Sequence, residues 1–255
     1  MALSSGTLSA GFCFSQQIEN WNWYGLLTFF STLAVYNGQR LFKAKSKFKT
    51  PWLSWVNNNQ KLIGFGTFLS LCSAGYIFLE IWNFNWVSFM LLSISGIVSI
   101  LYVVKIKGRN MRELPYLKIH LIALTWIAVI IAFPILNEGL QTEIATVLFA
   151  HYCYVLAVTI PFDIRDLKFD DKEHNTIPQM VGIKASKTLS LVSLTLFTLL
   201  MVSVENKLKT NGLFYGGVLV QMILVIFMNE KRSDIYCAGL IDGAIALVGL
   251  SYFLL

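Results

Sequence analysis

The chain has 255 residues, of which 56% are hydrophobic and only 13% are charged, and its mean hydropathy is +0.62. Soluble domains carry about 25% charged residues, so this composition excludes an ordinary soluble protein. Long apolar runs alternate with short polar clusters, a pattern typical of helical membrane proteins with several spans. We therefore interpret residues 1–255 as a single transmembrane domain. The net charge of +6 is distributed as membrane topology requires and does not indicate nucleic-acid binding.

The first segment, residues 1–17, is small and moderately apolar. It has no basic region ahead of a long apolar core, so we do not expect a cleaved signal peptide. At about 1.5 Å per residue the segment is too short to cross a ~30 Å hydrocarbon core by itself. It is predicted to be a truncated or partly inserted first helix.

Seven or eight further segments have the length and hydropathy of membrane spans. They are residues 21–39, 61–82, 84–104, 116–137, 141–162, 187–204, 211–229 and 235–254. The predicted fold class is therefore all-α, a polytopic transmembrane bundle of eight to nine helices in which the first helix is short or truncated.

The basic residues are distributed unevenly between the two sides of this predicted bundle. Eighteen of the twenty Lys and Arg residues fall in alternate connections, and only Lys207 and Lys209 fall on the other side. The positive-inside rule then places the connection around residues 163–187 in the cytoplasm and the C-terminus outside. Basic residues at such a face determine topology and contact anionic headgroups. Diphosphate binding is the alternative interpretation, if the basic loops converge on one cavity.

The connection after residue 162 carries the most informative pattern in the chain. On a helix, Asp163, Asp166 and Asp170 lie at i, i+3 and i+7 and share one face. Three adjacent carboxylates repel one another unless a cation neutralises them, and hard oxygen ligands suit a Mg²⁺ ion that also holds phosphate oxygens. The alternative is a solvated acidic loop between two membrane helices.

This stretch, from Asp163 to Gly182, resembles the second aspartate-rich motif of the UbiA superfamily of intramembrane prenyltransferases. The third Asp position is taken by Asp170 or Asp171. The remaining motif positions are held by Lys172, Thr176, Ile177, Pro178 and the closing Gly182. The chain departs from the family where His174-Asn175 replaces a middle glycine, and the spacing is one residue short.

The resemblance implies nine transmembrane helices with two aspartate-rich motifs on cytoplasmic loops, after the second and the sixth helix. It also implies Mg²⁺ as the cofactor, held by Asp163, Asp166 and Asp170 or Asp171. The implied partners are membrane lipid, an isoprenoid diphosphate donor and an unidentified acceptor. Thr176, Pro178 and Gly182 are expected to support the motif.

The family's first motif, N-D-x-x-D-x-x-x-D, is degenerate in this chain. At the end of the second predicted helix Asn37 is kept, but Gly38, Leu41 and Lys45 occupy the Asp positions. Nearby cations are candidate phosphate contacts, since Arg and Lys can neutralise phosphate directly. The candidate diphosphate-binding residues are Asn37, Arg40, Lys43, Arg109, Arg112, Lys118 and Lys172. The Asp cluster either holds Mg²⁺ or forms salt bridges to such cations, and the residues alone leave both open.

Three hypotheses for function follow. The first is a Mg²⁺-dependent prenyltransferase, in which an allylic cation forms in an apolar cavity and is attacked by the acceptor. The second is a non-catalytic protein of the same fold that binds lipid or acts as a membrane partner or scaffold. The third, a small transporter, is disfavoured because no interrupted helices occur at matching positions.

Other polar residues lie in or next to the predicted spans. His151 is expected to be either functional or part of a helix–helix hydrogen bond. Asp242 is predicted to need a partner within the bundle. Asn137, Glu138 and Glu143 are expected to form a short outer loop.

Overall fold

The structure, a computed structural model, describes residues 1–43, 51–104, 111, 114, 117–140, 143–167 and 175–255. Every regular element in these ranges is a helix. The α-helices are α1 (Ala2–Ser15), α2 (Trp21–Lys43), α3 (Pro51–Asn58), α4 (Gln60–Ile81), α5 (Trp86–Leu101), α6 (Leu117–Ile127), α7 (Phe133–Glu138), α8 (Ile144–Asp166), α9 (Ile177–Val204), α10 (Gly212–Ile226) and α11 (Asp242–Ser251). Short π-helical turns join α6 to α7 (Ala128–Ala132) and precede α11 (Tyr236–Ile241), and 3-10 turns occupy Asn206–Thr210 and Tyr252–Leu254.

The helices form a membrane bundle. Among the described residues, five stretches are long and apolar enough to cross a bilayer: Gln60–Ile81, Leu117–Glu138, Ile144–Asp166, Ile177–Val204 and Tyr236–Leu254. Helices α5 and α10 are apolar but shorter, and α1 and α2 pack against the bundle. The prediction of an all-α transmembrane bundle is confirmed.

The two ends of the bundle differ in their polar residues. We call the end that carries Lys118, Asp163 and Asp234 the Asp face. At this face the start of α6 and the end of α8 meet the start of the last span. The opposite end, which we call the Asn137 face, holds the connection between α4 and α5 and the end of α7. Alternate connections of the chain therefore lie at the same end, as expected for antiparallel neighbours.

Helix α1 is short, as predicted, but it is not peripheral. It lies between α2 and α11, and its backbone approaches theirs so closely that only glycine fits at the points of contact. A Cβ atom added to Gly11 would lie 2.0 Å from the carbonyl oxygen of Gly249, and one added to Gly249 would lie 2.6 Å from the backbone nitrogen of Leu8. On the other side, a Cβ on Gly25 of α2 would lie 2.6 Å from the Cβ of Ala10. Without these side chains the backbones approach closely, and close packing stabilises helix pairs in lipid.

Helix α8 contains a proline one turn before its end. Pro161 has no N–H, so the carbonyl of Ala157, four residues earlier, loses its helical hydrogen bond. The hydroxyl of Ser190 on α9 donates to that carbonyl at 2.7 Å. All three residues are buried. The bond replaces the missing helical one and fixes α9 against α8 just before the Asp163 motif begins.

The Ser190→Ala substitution is expected to lower the free energy of unfolding by about 1–3 kcal/mol, because the Ala157 carbonyl would be left unpaired away from water. In a Pro161→Ala background the same substitution should lower the free energy of unfolding much less, since the restored N–H at position 161 can donate to the Ala157 carbonyl. Unfolding in mixed detergent micelles measures both effects. Thr195→Ala on the same helix is the control, because Thr195 only bonds within its own helix; an equal loss there would contradict this interpretation.

The expectation of an outer loop at Asn137 is wrong. Asn137 and Glu138 end helix α7, and the side chain of Asn137 is buried. Its amide nitrogen donates to the Ile81 carbonyl and to the Tyr24 hydroxyl, each at 2.7 Å. Its oxygen accepts from the backbone N–H of Asn83 at 3.2 Å. The Asn137 side chain thus bonds to backbone groups that have no helical partner at the helix ends, and it links α2, α4 and α7.

His151 lies in a helix–helix hydrogen bond, which is one of the two roles expected for it. Its Nδ1 atom is 2.9 Å from the carbonyl of Val147, one turn earlier on α8. This carbonyl can only accept, so Nδ1 carries the proton and Nε2 accepts from the hydroxyl of Tyr252 at 3.1 Å. The rings of Phe12 and Phe197 enclose the imidazole. These contacts fully account for a neutral buried histidine.

Candidate functional site

The site predicted from the sequence lies at the Asp face, where α8 ends. Asp163 and Asp166 are one turn apart in the last two turns of this helix. Asp163 is almost completely buried, and its Oδ1 atom lies 2.6 Å from the Nζ atom of Lys118 on α6. The ion pair joins one predicted metal ligand to one predicted phosphate contact. The structure thus brings these two residues together, although 45 positions separate them in the chain.

Asp166 has a different cation. Its Oδ1 atom lies 2.7 Å from the Nε atom of Arg165, and the Nη1 atom of the same guanidinium lies 3.2 Å from Asp234. Arg165 therefore connects the end of α8 with the start of the last span. In the sequence, Arg165 is one of the eighteen basic residues whose distribution predicts the topology. Its position inside the D-x-x-D sequence was the signal that it would contact the motif.

Asn37, Gly38 and Leu41 of the degenerate first motif lie on the last two turns of α2, whereas Lys45 lies outside the described residues. Arg40 donates from Nη1 to the Oδ1 atom of Asn37 at 3.3 Å, one turn earlier. Asp242, on the last span, is near enough to interact electrostatically with both Arg40 and Arg165. Its Oδ2 atom also lies 3.2 Å from the amino group of Met1. The partner that was predicted for this intramembrane carboxylate is thus a set of cations.

Several predicted site residues cannot be placed. Lys43 ends α2, but its side chain is outside the described part of the chain. The other predicted residues outside the described ranges are Arg109, Arg112, Asp170, Asp171 and Lys172. Their roles remain predictions.

Helix α9 begins earlier than predicted, at Ile177 rather than at residue 187. Thr176 precedes its first residue and Pro178 lies in its first turn, where a missing N–H costs nothing. The backbone N–H of Thr176 donates to the Oε1 atom of Gln179 at 2.9 Å, which is one half of a capping box. The N-terminus of α9 is therefore fixed next to the Asp163 motif.

Gly182 interrupts α9 after less than two turns. Its dihedral angles are φ 79° and ψ 166°, and the helix resumes beyond it. This conformation is essentially restricted to glycine. The sequence analysis expected Gly182 to close the motif, with the membrane helix starting afterwards. The break at Gly182 separates a short helical start at the Asp face from the long apolar stretch that follows.

A small cavity of about 40 Å³ lies next to the Lys118–Asp163 ion pair. It has room for a few water molecules. Its lining residues are Lys118, Ile119, His120, Asp163, Asn175, Thr176, Ile177 and Met180. The hydroxyl of Thr176 is buried and has no hydrogen-bond partner among the described residues. A helix N-terminus, a lysine and a hydroxyl donor are groups that attract an anion.

The half of α2 that approaches the Asp face is partly exposed. From Phe29 to Leu41, every side chain except that of Ala34 is of intermediate exposure. These residues are spread over all sides of the helix.

The described carboxylates offer a partial set of ligands for Mg²⁺. In the described ranges, no group of three or more His, Cys, Asp or Glu side chains is placed to hold a metal ion. Asp163 and Asp166 nevertheless supply two hard oxygen ligands from one helix face. Mg²⁺ in phosphate-binding sites is commonly held by only one or two carboxylates together with substrate phosphates and water. The described donors therefore fit a Mg²⁺ ion that a diphosphate helps to bind.

Comparisons with known proteins identify the fold. Neither models of protein families nor curated protein sequences match the chain. Among solved structures, the chain is similar to that of a UbiA homolog from Archaeoglobus fulgidus bound to GPP and Mg²⁺, with a TM-score of 0.66. The match covers 99% of this chain and 95% of that chain at 14% sequence identity. The chain thus has the UbiA fold, as the resemblance of its Asp163–Gly182 stretch indicated.

Proposed function

We propose that this protein binds an isoprenoid diphosphate at the Asp face and transfers its prenyl group to an acceptor held within the membrane. The observation that carries the proposal is the Asp163–Lys118 contact beside the N-terminus of α9. In this proposal the carboxylate holds a metal ion and the neighbouring ammonium group contacts a phosphate, and the contact between them supports a shared site in a UbiA fold. The similar structure bound to GPP and Mg²⁺ supports the same ligand class.

In this proposal each group of the chain has a stated role. Asp163 and Asp166 hold a Mg²⁺ ion, which would supply positive charge to the departing diphosphate. Lys118 and Arg40 contact phosphate oxygens, and the helix dipole at Thr176 favours the same negative charge. The prenyl chain would lie among the apolar side chains of the bundle, which keep water away from the reacting carbon. The roles of Asp170, Asp171, Lys43, Arg109, Arg112 and Lys172 belong to the same proposal.

The proposal also covers the orientation of the protein in the membrane and its domain organisation. Lys118, Arg165, Lys187 and Arg232 all lie at the Asp face or the adjoining helix ends. By the positive-inside rule this face is cytoplasmic and the C-terminus is outside. We further propose that residues 1–255 act as one domain.

A second candidate function is a non-catalytic protein of UbiA fold that binds lipid or acts as a membrane scaffold. Two observations favour it. Gly38, Leu41 and Lys45 stand where the family has carboxylates. Both described motif carboxylates are already in ion pairs with side chains of this chain. In this alternative the ion pairs are permanent and hold the helix ends together.

The prenyltransferase proposal and the non-catalytic alternative are distinguished by the binding of geranyl diphosphate to the purified protein in detergent, with and without Mg²⁺. We expect Mg²⁺-dependent binding by the wild type and a loss of at least about tenfold in affinity for Asp166→Asn, because one charged metal ligand is removed. Asp234→Asn is the matched control, since Asp234 contacts the same guanidinium of Arg165 but is exposed at the surface. Absence of binding under both conditions would contradict the prenyltransferase proposal and favour the scaffold.

A further inference from the structure

The end of α10 at the Asp face is capped by side chains from two other segments. The last carbonyls of a helix have no partner within it, and next to lipid each of them needs a hydrogen-bond donor. The Nζ atom of Lys187 on α9 donates to the carbonyl of Ile226 at 2.8 Å. The Nε atom of Arg232 donates to the carbonyl of Phe227 at 3.0 Å. These bonds use one N–H of each side chain, and the remaining N–H groups can still bind an anion.

The two capping cations lie close to each other. Lys187 and Arg232 are near enough for their charges to interact, and like charges repel. Neither is in an ion pair with a carboxylate among the described residues. The Cζ atom of Arg232 lies 4.6 Å from the centroid of the Tyr236 ring, and the Tyr236 hydroxyl donates to the carbonyl of Leu224 at 2.7 Å. The pair is thus held in place by α9, α10 and the start of the last span, although no described ion pair neutralises it.

The surroundings of this pair are also positively charged. Two exposed lysines, Lys184 and Lys231, lie in the same two segments of the chain. Glu230 and Asp234 are the carboxylates next to the pair in the sequence, and Asp234 already contacts Arg165. The cations outnumber the carboxylates here, so this surface attracts anions.

The capping cations lie at the depth where lipid phosphates are found. Helix α10 has 15 residues, and at about 1.5 Å per residue it spans only about 22 Å of a ~30 Å hydrocarbon core. Helix α9 has 28 residues and is about 42 Å long by the same rise. Because Lys187 contacts the end of α10, the part of α9 before Lys187 extends beyond that end toward the Asp face. The cations therefore lie at the edge of the apolar layer, beside a helix that continues past it.

An apolar surface continues from these cations toward the middle of the bundle. Leu219 and Ile223 lie on one side of α10, and Phe227 follows at the same four-residue spacing. The three side chains are 57%, 43% and 60% exposed. A phospholipid has the same order of groups, a phosphate followed by an apolar chain, whereas a soluble anion has only the first of them.

We infer that Lys187 and Arg232 bind the headgroup of an anionic phospholipid from the surrounding bilayer. The ammonium and guanidinium groups hold its phosphate, and one acyl chain lies along Leu219, Ile223 and Phe227. Basic sites between helices at a cytoplasmic membrane surface hold such headgroups in other membrane proteins. None of these residues has a part in the proposed prenyl transfer, and the site needs no metal ion. The lipid supplies negative charge at this point and joins α9, α10 and the start of the last span.

Native mass spectrometry of the purified protein in detergent, with EDTA present, measures the affinity for single lipid molecules. We expect phosphatidylglycerol to bind at least about tenfold more tightly than phosphatidylcholine, because its headgroup has a net negative charge. Arg232→Gln and Lys187→Gln should each lower the affinity for phosphatidylglycerol about fivefold, the usual contribution of one basic residue near an anionic surface. Their affinity for phosphatidylcholine should not change, which shows that the variants are folded.

Lys61→Gln is the matched control, because it removes an exposed lysine at the start of α4, at the same end of the bundle but outside this site. It should leave the affinity for phosphatidylglycerol unchanged. An equal loss in Lys61→Gln would mean that the whole basic face attracts lipid, and this result overturns the inference. Equal affinities of the wild type for the two lipids, or an unchanged affinity in Arg232→Gln, overturn it as well.

A soluble competitor separates the lipid from a free phosphate. Glycerol 3-phosphate at the same concentration should not displace phosphatidylglycerol, because it lacks the acyl chains that contact α10. Displacement would assign the two cations to a soluble phosphate and would overturn the inference that they bind a lipid.

Discussion

Replacing Gly11 by alanine is expected to destabilise the protein by about 3 kcal/mol or more, at the upper end of what overpacking a well-filled interior usually costs. The new methyl group would lie 2.0 Å from the carbonyl oxygen of Gly249, which is a backbone atom and cannot rotate away. Helix α1 would have to move as a whole away from α11. Thermal unfolding in detergent, followed by the reactivity of the buried Cys13 on α1 toward a thiol reagent, should show the loss directly.

The controls for this prediction are other helical glycines. A Cβ atom on Gly64 or Gly75 of α4 would meet no heavy atom within 4 Å. Alanine at these positions should be neutral or stabilise by up to about 1 kcal/mol, because alanine favours the helix. If Gly11→Ala proved as harmless as Gly64→Ala, the close contact between α1 and α11 would be wrong.

The second large loss of stability is expected when one charge of the Lys118–Asp163 ion pair is removed. Asp163→Leu and Lys118→Met are each expected to lower the free energy of unfolding by about 3–5 kcal/mol, because each leaves a buried charge without its partner. The double variant should recover most of this loss, since two apolar side chains of similar size replace the pair. A double-mutant cycle of unfolding free energies measures the coupling.

An exposed ion pair supplies the comparison for this cycle. Arg165 contacts Asp234, whose side chain is 74% exposed. Exposed pairs contribute roughly 0–1 kcal/mol, so Asp234→Ala should have a small effect. Additive losses in the Lys118–Asp163 cycle would show that the two charges do not depend on each other, and would contradict this prediction.

The sequence predicted the helices of the bundle well, because membrane spans need continuous apolar runs of a fixed length. The Asp163–Gly182 motif likewise indicated the fold. Helix boundaries were less accurate where polar residues continue a helix beyond the apolar run. The start of α9 at Ile177 is the main example, since the polar residues before residue 187 were interpreted as a connection.

Contacts between distant residues were the part that sequence reasoning could not supply. Gly11 and Gly249 show no common pattern in the sequence, and only the folded bundle brings their backbones together. Asn137 was interpreted as a loop residue because its type is common in loops, although it is buried and links several helices. For Lys118 and Arg165 the charges were visible, but which carboxylate each one contacts depends on how α6, α8 and the last span pack.

The close contact between α1 and α11 has a consequence for assembly in the membrane. In the sequence, 238 positions separate Gly11 from Gly249, so α1 is synthesised long before the surface that receives it. With only 14 residues, α1 is about 21 Å long and cannot cross the hydrocarbon core unaided. It must therefore be held at the bilayer surface or against α2 until α11 has been made. The contact between α1 and α11 is thus a late step of assembly.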